Sequence, residues 1–280
     1  MPNEPSQTAP TFRQDAGGVR FAYRRFGAAE GVPLVFLQTF TGTLDSWDPE
    51  VVDGFARERP VILLDNAGVG SSSGTTPDTV HAMAHQALAF IATLGLKRVD
   101  LLGYGLGGFI AQVIAAHRPE LVRRMILAGT GPEGGVGIAN LGQSVAQARQ
   151  TFPSEPRLFL FFDRTESSQR AGREFIERQS RRTADRDREC TPQTTSAQLR
   201  AIVAWGSASG RDNGTRLRYV RQPVLIVNGK NDVMVPAINS FELFEQLPNA
   251  RLILYPDSGH GALFQYSEAF VSEGLQFLEG

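Results

Sequence analysis

Six short stretches of unbroken apolar character recur along this chain, and they restrict its fold more than any other feature. They are "PLVFLQ" (33–38), "PVILLD" (60–65), "VDLLGY" (99–104), "RMILAG" (124–129), "PVLIVNG" (223–229) and "RLILYP" (251–256). Runs of this length without alternation are the mark of strands covered on both faces. Between them lie segments with apolar residues at helical spacing: "TVHAMAHQALAFIATLG", "LGGFIAQVIAAHRP", "NSFELFEQLPN" and "SEAFVSEGLQFLEG". Strand and helix in alternation predict an α/β fold, an open and mostly parallel sheet with helices on both faces. Ahead of the series, "TFRQDAGGVRFAYRRFG" alternates apolar and polar residues around Gly17 and Gly18 and predicts an antiparallel hairpin.

One interval breaks the rhythm. From about Pro132 to Thr215 only helical segments occur, among them "SSQRAGREFIERQSRR" and "TPQTTSAQLRAIVAWG", the latter with Thr191 as N-cap and Pro192 at the first helical position. The predicted organisation is a core of residues 1–132 and 216–280 with a helical insertion at 133–215. The insertion's apolar residues ("LFLFF" at 158–162, Phe175, Ile176, Ile202, Val203 and Trp205) either form its own core or cover a cavity at the sheet's edge. Its charge run "RRTADRDRE" (181–189) mixes both signs and reads as a solvated helix end.

Composition excludes several function classes. A net charge of -1 on 280 residues gives no electrostatic footprint for nucleic acid or an anionic membrane, so a small-molecule partner is expected. Cys190 is the single cysteine and there are four histidines (His81, His85, His117, His260), which leaves no disulfide framework and little for a metal site; no cofactor is expected. No apolar run reaches membrane-span length, and "MPNEPSQTAP" lacks the basic start of a signal peptide, so a cytoplasmic chain with a frayed polar N-terminus is expected. Oligomeric state is not legible.

The loop "GYGLGG" (103–108) carries two signatures at once. As G-x-G-x-x-G, with glycines 103, 105 and 108, it suits a dinucleotide's pyrophosphate. As G-x-S-x-G it has its two glycines, 103 and 107, but Gly105 where a nucleophilic serine belongs. A dinucleotide loop opens the first βαβ unit and is followed by an acidic residue at the next strand's end. Here the loop follows the third run, and the next strand ends in Thr130. The other signature requires an acid after a later strand and a histidine after the last, in that order. Asp232 in "KNDVMVP" and His260 in "DSGHGALF" meet both requirements.

On these pieces the chain resembles the α/β-hydrolase family over nearly its full length. The matching segments are "PLVFLQTFTGTLDSWDP", "LLDNAGVGSSSG", "GYGLGG", "GKNDVMVP" and "DSGHGALF". The resemblance implies a helical cap where the insertion falls, a pocket between cap and core, and a His260–Asp232 pair facing position 105. It also implies an oxyanion site built from the N–H groups of Phe40 and Leu106, the second at a helix N-terminus whose dipole favours negative charge. Thr39, Trp47, Tyr104, Met234 and Leu263, with Phe264, are expected to wall the pocket. Where the family begins this oxyanion loop with His-Gly, the chain has Gln38 and Thr39.

Glycine at 105 adopts the elbow's dihedrals without a Cβ penalty, so the fold survives while the acyl-enzyme chemistry suffers. No neighbouring hydroxyl is expected to replace the serine: Tyr104 should point away, and Ser71, Ser72 and Ser73 belong to another loop. Cys190 is expected to be a bystander, and Asp257 to form a turn. Three functions remain open. The first is a hydrolase of small ester, lactone or related acyl substrates, impaired by Ser→Gly through natural decay or a laboratory change. The second is an enzyme of lyase or cofactor-free oxygenase type using the His260–Asp232 dyad alone, and the third a non-catalytic binding protein.

Overall fold

A computed structural model describes residues 5–208 and 217–280. Its centre is an eight-stranded sheet in the order β1-β2-β4-β3-β5-β6-β7-β8. β1 (Phe12–Ala16) and β2 (Val19–Gly27) form the hairpin, and β2 pairs antiparallel with β4 (Pro60–Leu64). The remaining pairs, among β3 (Leu34–Leu37), β4, β5 (Val99–Tyr104), β6 (Val122–Ala128), β7 (Val224–Gly229) and β8 (Ala250–Tyr255), are all parallel. Each of the six apolar runs is one of these parallel strands, and β3, β4, β5 and β7 are buried along their whole length. Helix Val80–Thr93 packs on helix Leu106–His117, and Pro49–Ala56 packs on Ser267–Glu279, which covers the sheet's two faces.

The topology itself places a crevice. The chain leaves β3 towards β4 on one side, then returns to lay β5 against β3's other side, with Leu37 opposite Gly103. Loops from these two adjacent strands therefore diverge at their carboxyl ends, where open α/β sheets bind ligands. The divergence puts residues 38–43 and Gly105 on opposite walls.

Between β6 and β7 the described residues form helices and no strand. Helix Pro192–Ser207 is capped by Thr191, whose side chain accepts from the Thr194 N–H, with proline at its first position. The predicted boundary at 215/216 lies outside the described residues. Phe175 stacks on Phe264 at 4.5 Å and Trp205 on Phe109 at 5.1 Å, so part of the insertion's apolar surplus packs on the sheet domain. Leu160, Phe161 and Ile202 instead line cavities, so both readings of that surplus hold for different residues.

Most of the run 181–189 is exposed, as a solvated helix end would be, but Arg182 and Asp187 are engaged with the rest of the chain. Arg182 is buried and donates to the carbonyls of Ser6 and Ala9, at 2.9 Å each. The Asp187 N–H donates to Asp45 Oδ2 at 2.6 Å, and Arg24 pairs with Asp45 at 2.5 Å. Nearby, Arg178 grips buried Asp48 through Nε and Nη2 at 2.9 and 2.7 Å. These few charges are held because their partners come from residues 6–48, far away in sequence. The same contacts tie down the helical turn Pro5–Thr8, where Ser6 also donates to Asp53 at 2.8 Å; from residue 5 the N-terminal segment is held rather than frayed.

Asp65, at the end of β4, is fully buried and accepts from the Leu44 N–H at 2.9 Å. Burial first, then the hydrogen bond and charge of Asp187, hold its carboxyl well above the usual carboxylate range. A group with a raised folded-state pKa stabilises the fold fully below its unfolded value and loses that contribution as pH rises. Asp65→Asn, which mimics the protonated form, should therefore gain on the wild type as pH rises from about 4. The Tm difference between the two, followed from pH 4 to 9, should widen by about 2–4 °C for each kcal/mol involved. A difference constant with pH would refute the assignment.

Candidate active site

β5 ends at Tyr104, and the next residue turns the chain sharply into helix Leu106–His117. Gly105 does this with φ 54 and ψ -114, a conformation that costs an L-residue strain. Two bonds pin the turn: the Gly105 N–H donates to the Ala128 carbonyl at 3.0 Å, and Thr130 Oγ1 donates to the Gly105 carbonyl at 2.9 Å. Gly107 follows because a Cβ there would lie 1.9 Å from the Leu37 carbonyl oxygen, so the helix can approach β3 only without a side chain.

The loops after β7 and β8 bring Asp232 and His260 together. His260 Nδ1 lies 2.7 Å from Asp232 Oδ2, and both side chains are almost wholly buried. The other carboxylate oxygen accepts the N–H groups of Met234 and Val235 at 2.8 and 2.9 Å, so Asp232 is fixed before it orients anything. With Nδ1 carrying its hydrogen towards Asp232, Nε2 is left as an acceptor. It faces Gly105: a Cβ built on that residue would stand 3.1 Å from Nε2.

Thr39 closes the arrangement. Its hydroxyl lies 3.4 Å from His260 Nε2, a neighbour expected only as part of the pocket wall. The backbone beneath it is held by Gln38, whose Oε1 accepts the Thr39 N–H at 3.0 Å while its Nε2 donates to the Thr43 carbonyl at 2.7 Å. The turn closes with the Gly42 N–H donating to the Thr39 carbonyl at 3.1 Å. Thr41 within it takes φ 57, and its N–H donates to Gln198 of the insertion at 2.7 Å. The N–H groups of Phe40 and Leu106 have no acceptor among the described residues, and both residues line the cavity over Gly105.

Two cavities meet here. The inner one, of about 10 Å³ or one water, is bounded by Gly105, His260 and the apolar side chains of Phe109, Leu141, Ile202 and Val235. The outer one, of about 470 Å³, runs beneath the insertion and carries Arg149, Arg157, Arg186 and Arg188 beside Asp45, Asp187, Glu155 and Glu189. Thr39, Phe40 and Met234 belong to both walls.

Not every expected wall residue lines these spaces. Trp47 packs edge-on to Phe36 at 5.0 Å, Leu263 is buried, and Phe264 lies under Phe175. Tyr104 does not point away from the site but stacks its ring on the His260 imidazole at 4.7 Å. Burial, and then the charge of Asp232, hold its phenol proton on, so it supports the imidazole as a flat apolar backing. These aromatic and aliphatic groups lie behind the cavity wall. Ser72 is engaged elsewhere, donating to the Asp65 carbonyl at 3.0 Å. Asp257, at φ 48, receives hydrogen bonds from Thr165 and Ser167 of the insertion. Cys190 does border the outer cavity, but burial and the nearby carboxylates push its thiol up to about 12, which removes it as a nucleophile near neutrality.

The sequence profile of the alpha/beta hydrolase fold matches residues 32–266. The chain belongs to the α/β-hydrolase family. Within it, an alpha/beta hydrolase fold protein from Chitinophaga pinensis superimposes with a TM-score of 0.94 at 44% identity, over 98% of this chain and 99% of that one. RutD of Rhizobium rhizogenes, named for carbamate hydrolysis, is 30% identical over 85% of this chain and 88% of its own length. A pimeloyl-[acyl-carrier protein] methyl ester esterase of Nitrosomonas europaea is 27% identical over 86% of this chain and 94% of its own. The lineage thus includes hydrolases. The sequence signal that could have singled out Thr39 is its place in the oxyanion-loop segment together with Gly105 in the elbow.

Proposed function

We propose that the chain hydrolyses small esters, lactones or related acyl compounds, with His260 as general base, Asp232 as its orienter and the N–H groups of Phe40 and Leu106 as oxyanion donors. The observation that carries this reading is the buried 2.7 Å contact between His260 and Asp232, with Nε2 directed to the space over Gly105. The relatives' names, a carbamate hydrolase and a methyl ester esterase, support an acyl substrate. Turnover is expected to be slow, because position 105 presents no side chain to attack the acyl carbon.

The two cavities suggest how such a substrate lies. The inner space, with room for about one water between aliphatic and aromatic walls, suits no more than the methyl of an acetyl group, and the roomy outer space lined by both signs of charge suits a polar leaving portion. A panel of p-nitrophenyl esters from acetate to decanoate tests this. Turnover above buffer is expected for acetate and should fall as the acyl chain lengthens. No turnover above buffer on any member would overturn the proposal.

A further inference from the structure

We propose that Thr39 supplies the hydroxyl that the elbow lacks, so that the working triad of this chain is Thr39–His260–Asp232. This inference rests on the hydrolytic reading above and adds the nucleophile to it. Three independent observations carry it.

The first is occupancy. A Cβ on residue 105 would lie 2.3 Å from Thr39 Oγ1 and 3.2 Å from Thr39 Cβ. The threonine hydroxyl thus stands in the volume that a serine side chain would need, and Gly105 is the residue that leaves room for it. The second is partnering. Of the other buried aliphatic hydroxyls, Thr130 donates to the Gly105 carbonyl at 2.9 Å and Ser258 to that of Tyr255 at 3.1 Å, while the Tyr104 phenol, without a partner among the described residues, has its proton held on by burial. The Thr39 hydroxyl has His260 Nε2, at 3.4 Å, as its hydrogen-bond partner among the described residues. Since Nε2 is the acceptor, Thr39 donates, which is the direction a general base requires. The third is access. Thr39 lines both cavities, at the junction between the inner space and the outer one, within the same wall as the Phe40 oxyanion donor.

The chemistry balances on these groups alone. As Oγ1 of Thr39 adds to the acyl carbon, its proton passes to His260 Nε2, and the developing oxyanion is met by the N–H groups of Phe40 and Leu106. The bond to the leaving oxygen breaks, and that oxygen takes the proton from Nε2. Water then gives a proton to Nε2 and adds to the acyl-threonine. The bond to Oγ1 breaks, and the proton returns to Thr39, so ester plus water yields acid plus alcohol. A secondary hydroxyl at 3.4 Å is a weaker nucleophile than a serine held closer, which accounts for slow turnover without requiring none.

The test combines turnover of p-nitrophenyl acetate with peptide mapping after treatment with a fluorophosphonate. The expected result is an adduct on the peptide containing Thr39, loss of turnover in Thr39→Val on the order of 10²-fold or more, and Thr39→Ser active within about tenfold of wild type. Valine keeps the shape of the side chain, and circular dichroism of each variant checks that the fold is intact. If His260→Ala removes turnover while Thr39→Val retains it and no adduct maps to Thr39, the hydrolytic reading stands and this proposal falls. A wild-type chain with neither turnover nor adduct would overturn both.

Discussion

Gly105→Ser should raise kcat/KM on activated short-chain esters by several powers of ten. Loss of the nucleophile from a serine triad lowers turnover by roughly 10⁶, and restoring it next to an intact base should recover a large share of that factor. The geometry also sets the cost. A side chain at 105 must adopt φ near 54 and meet Thr39 Oγ1, so Thr39 has to rotate away from the imidazole. Strain of this kind costs about 1–3 kcal/mol. The variant should therefore be faster and less heat-stable, and Thr39→Ala in the same chain should restore part of the stability without slowing it. Peptide mapping should now find the adduct at residue 105. A folded Gly105→Ser protein with unchanged kinetics would remove the case that this loop faces the imidazole at all.

His260→Ala should abolish hydrolysis both in the unsubstituted chain and in Gly105→Ser, since in the proposed mechanism both hydroxyls depend on one imidazole. Asp232→Asn isolates the orienting role. An amide can still accept the N–H groups of Met234 and Val235 through its oxygen, which leaves its nitrogen facing Nδ1. That nitrogen donates rather than accepts, so the ring is driven to the tautomer in which Nε2 carries the hydrogen and is no longer a base. A loss on the order of 10⁴ is expected from the tautomer alone. The measurement is kcat/KM with circular dichroism on the same samples, because a buried pair deprived of one member also loses stability, by about 3–5 kcal/mol when the remaining group is charged. Wild-type rates in Asp232→Asn would show that the carboxylate orients nothing.

Much of this site was legible before any coordinates. The six apolar runs fix the strands because both faces of a parallel sheet must be covered, and the order of elbow, acid and histidine then follows from where strands end. Side-chain direction was not legible in the same way. Tyr104 and Trp47 neighbour the motif residues, yet one backs the imidazole and the other packs on Phe36, because proximity in sequence does not decide which side of a wall a ring takes. The partners of Arg182 and Asp187 escaped for a related reason: Ser6, Ala9 and Asp45 answer them across more than 140 residues, and no local pattern records such a partner. Thr39 meets His260 across 221 residues, a separation that only the assembled sheet closes.

The turn from Thr39 to Gly42 is held from above as well as below. Thr41 keeps a left-handed backbone that a β-branched residue resists, and the amide of Gln198 on the inserted helix is what it grips. Anyone exchanging those helices for a relative's, in order to graft a new specificity, would release this turn and with it both Thr39 and the Phe40 donor. The exchange would have to carry residues 39–42 along as part of the same transplant.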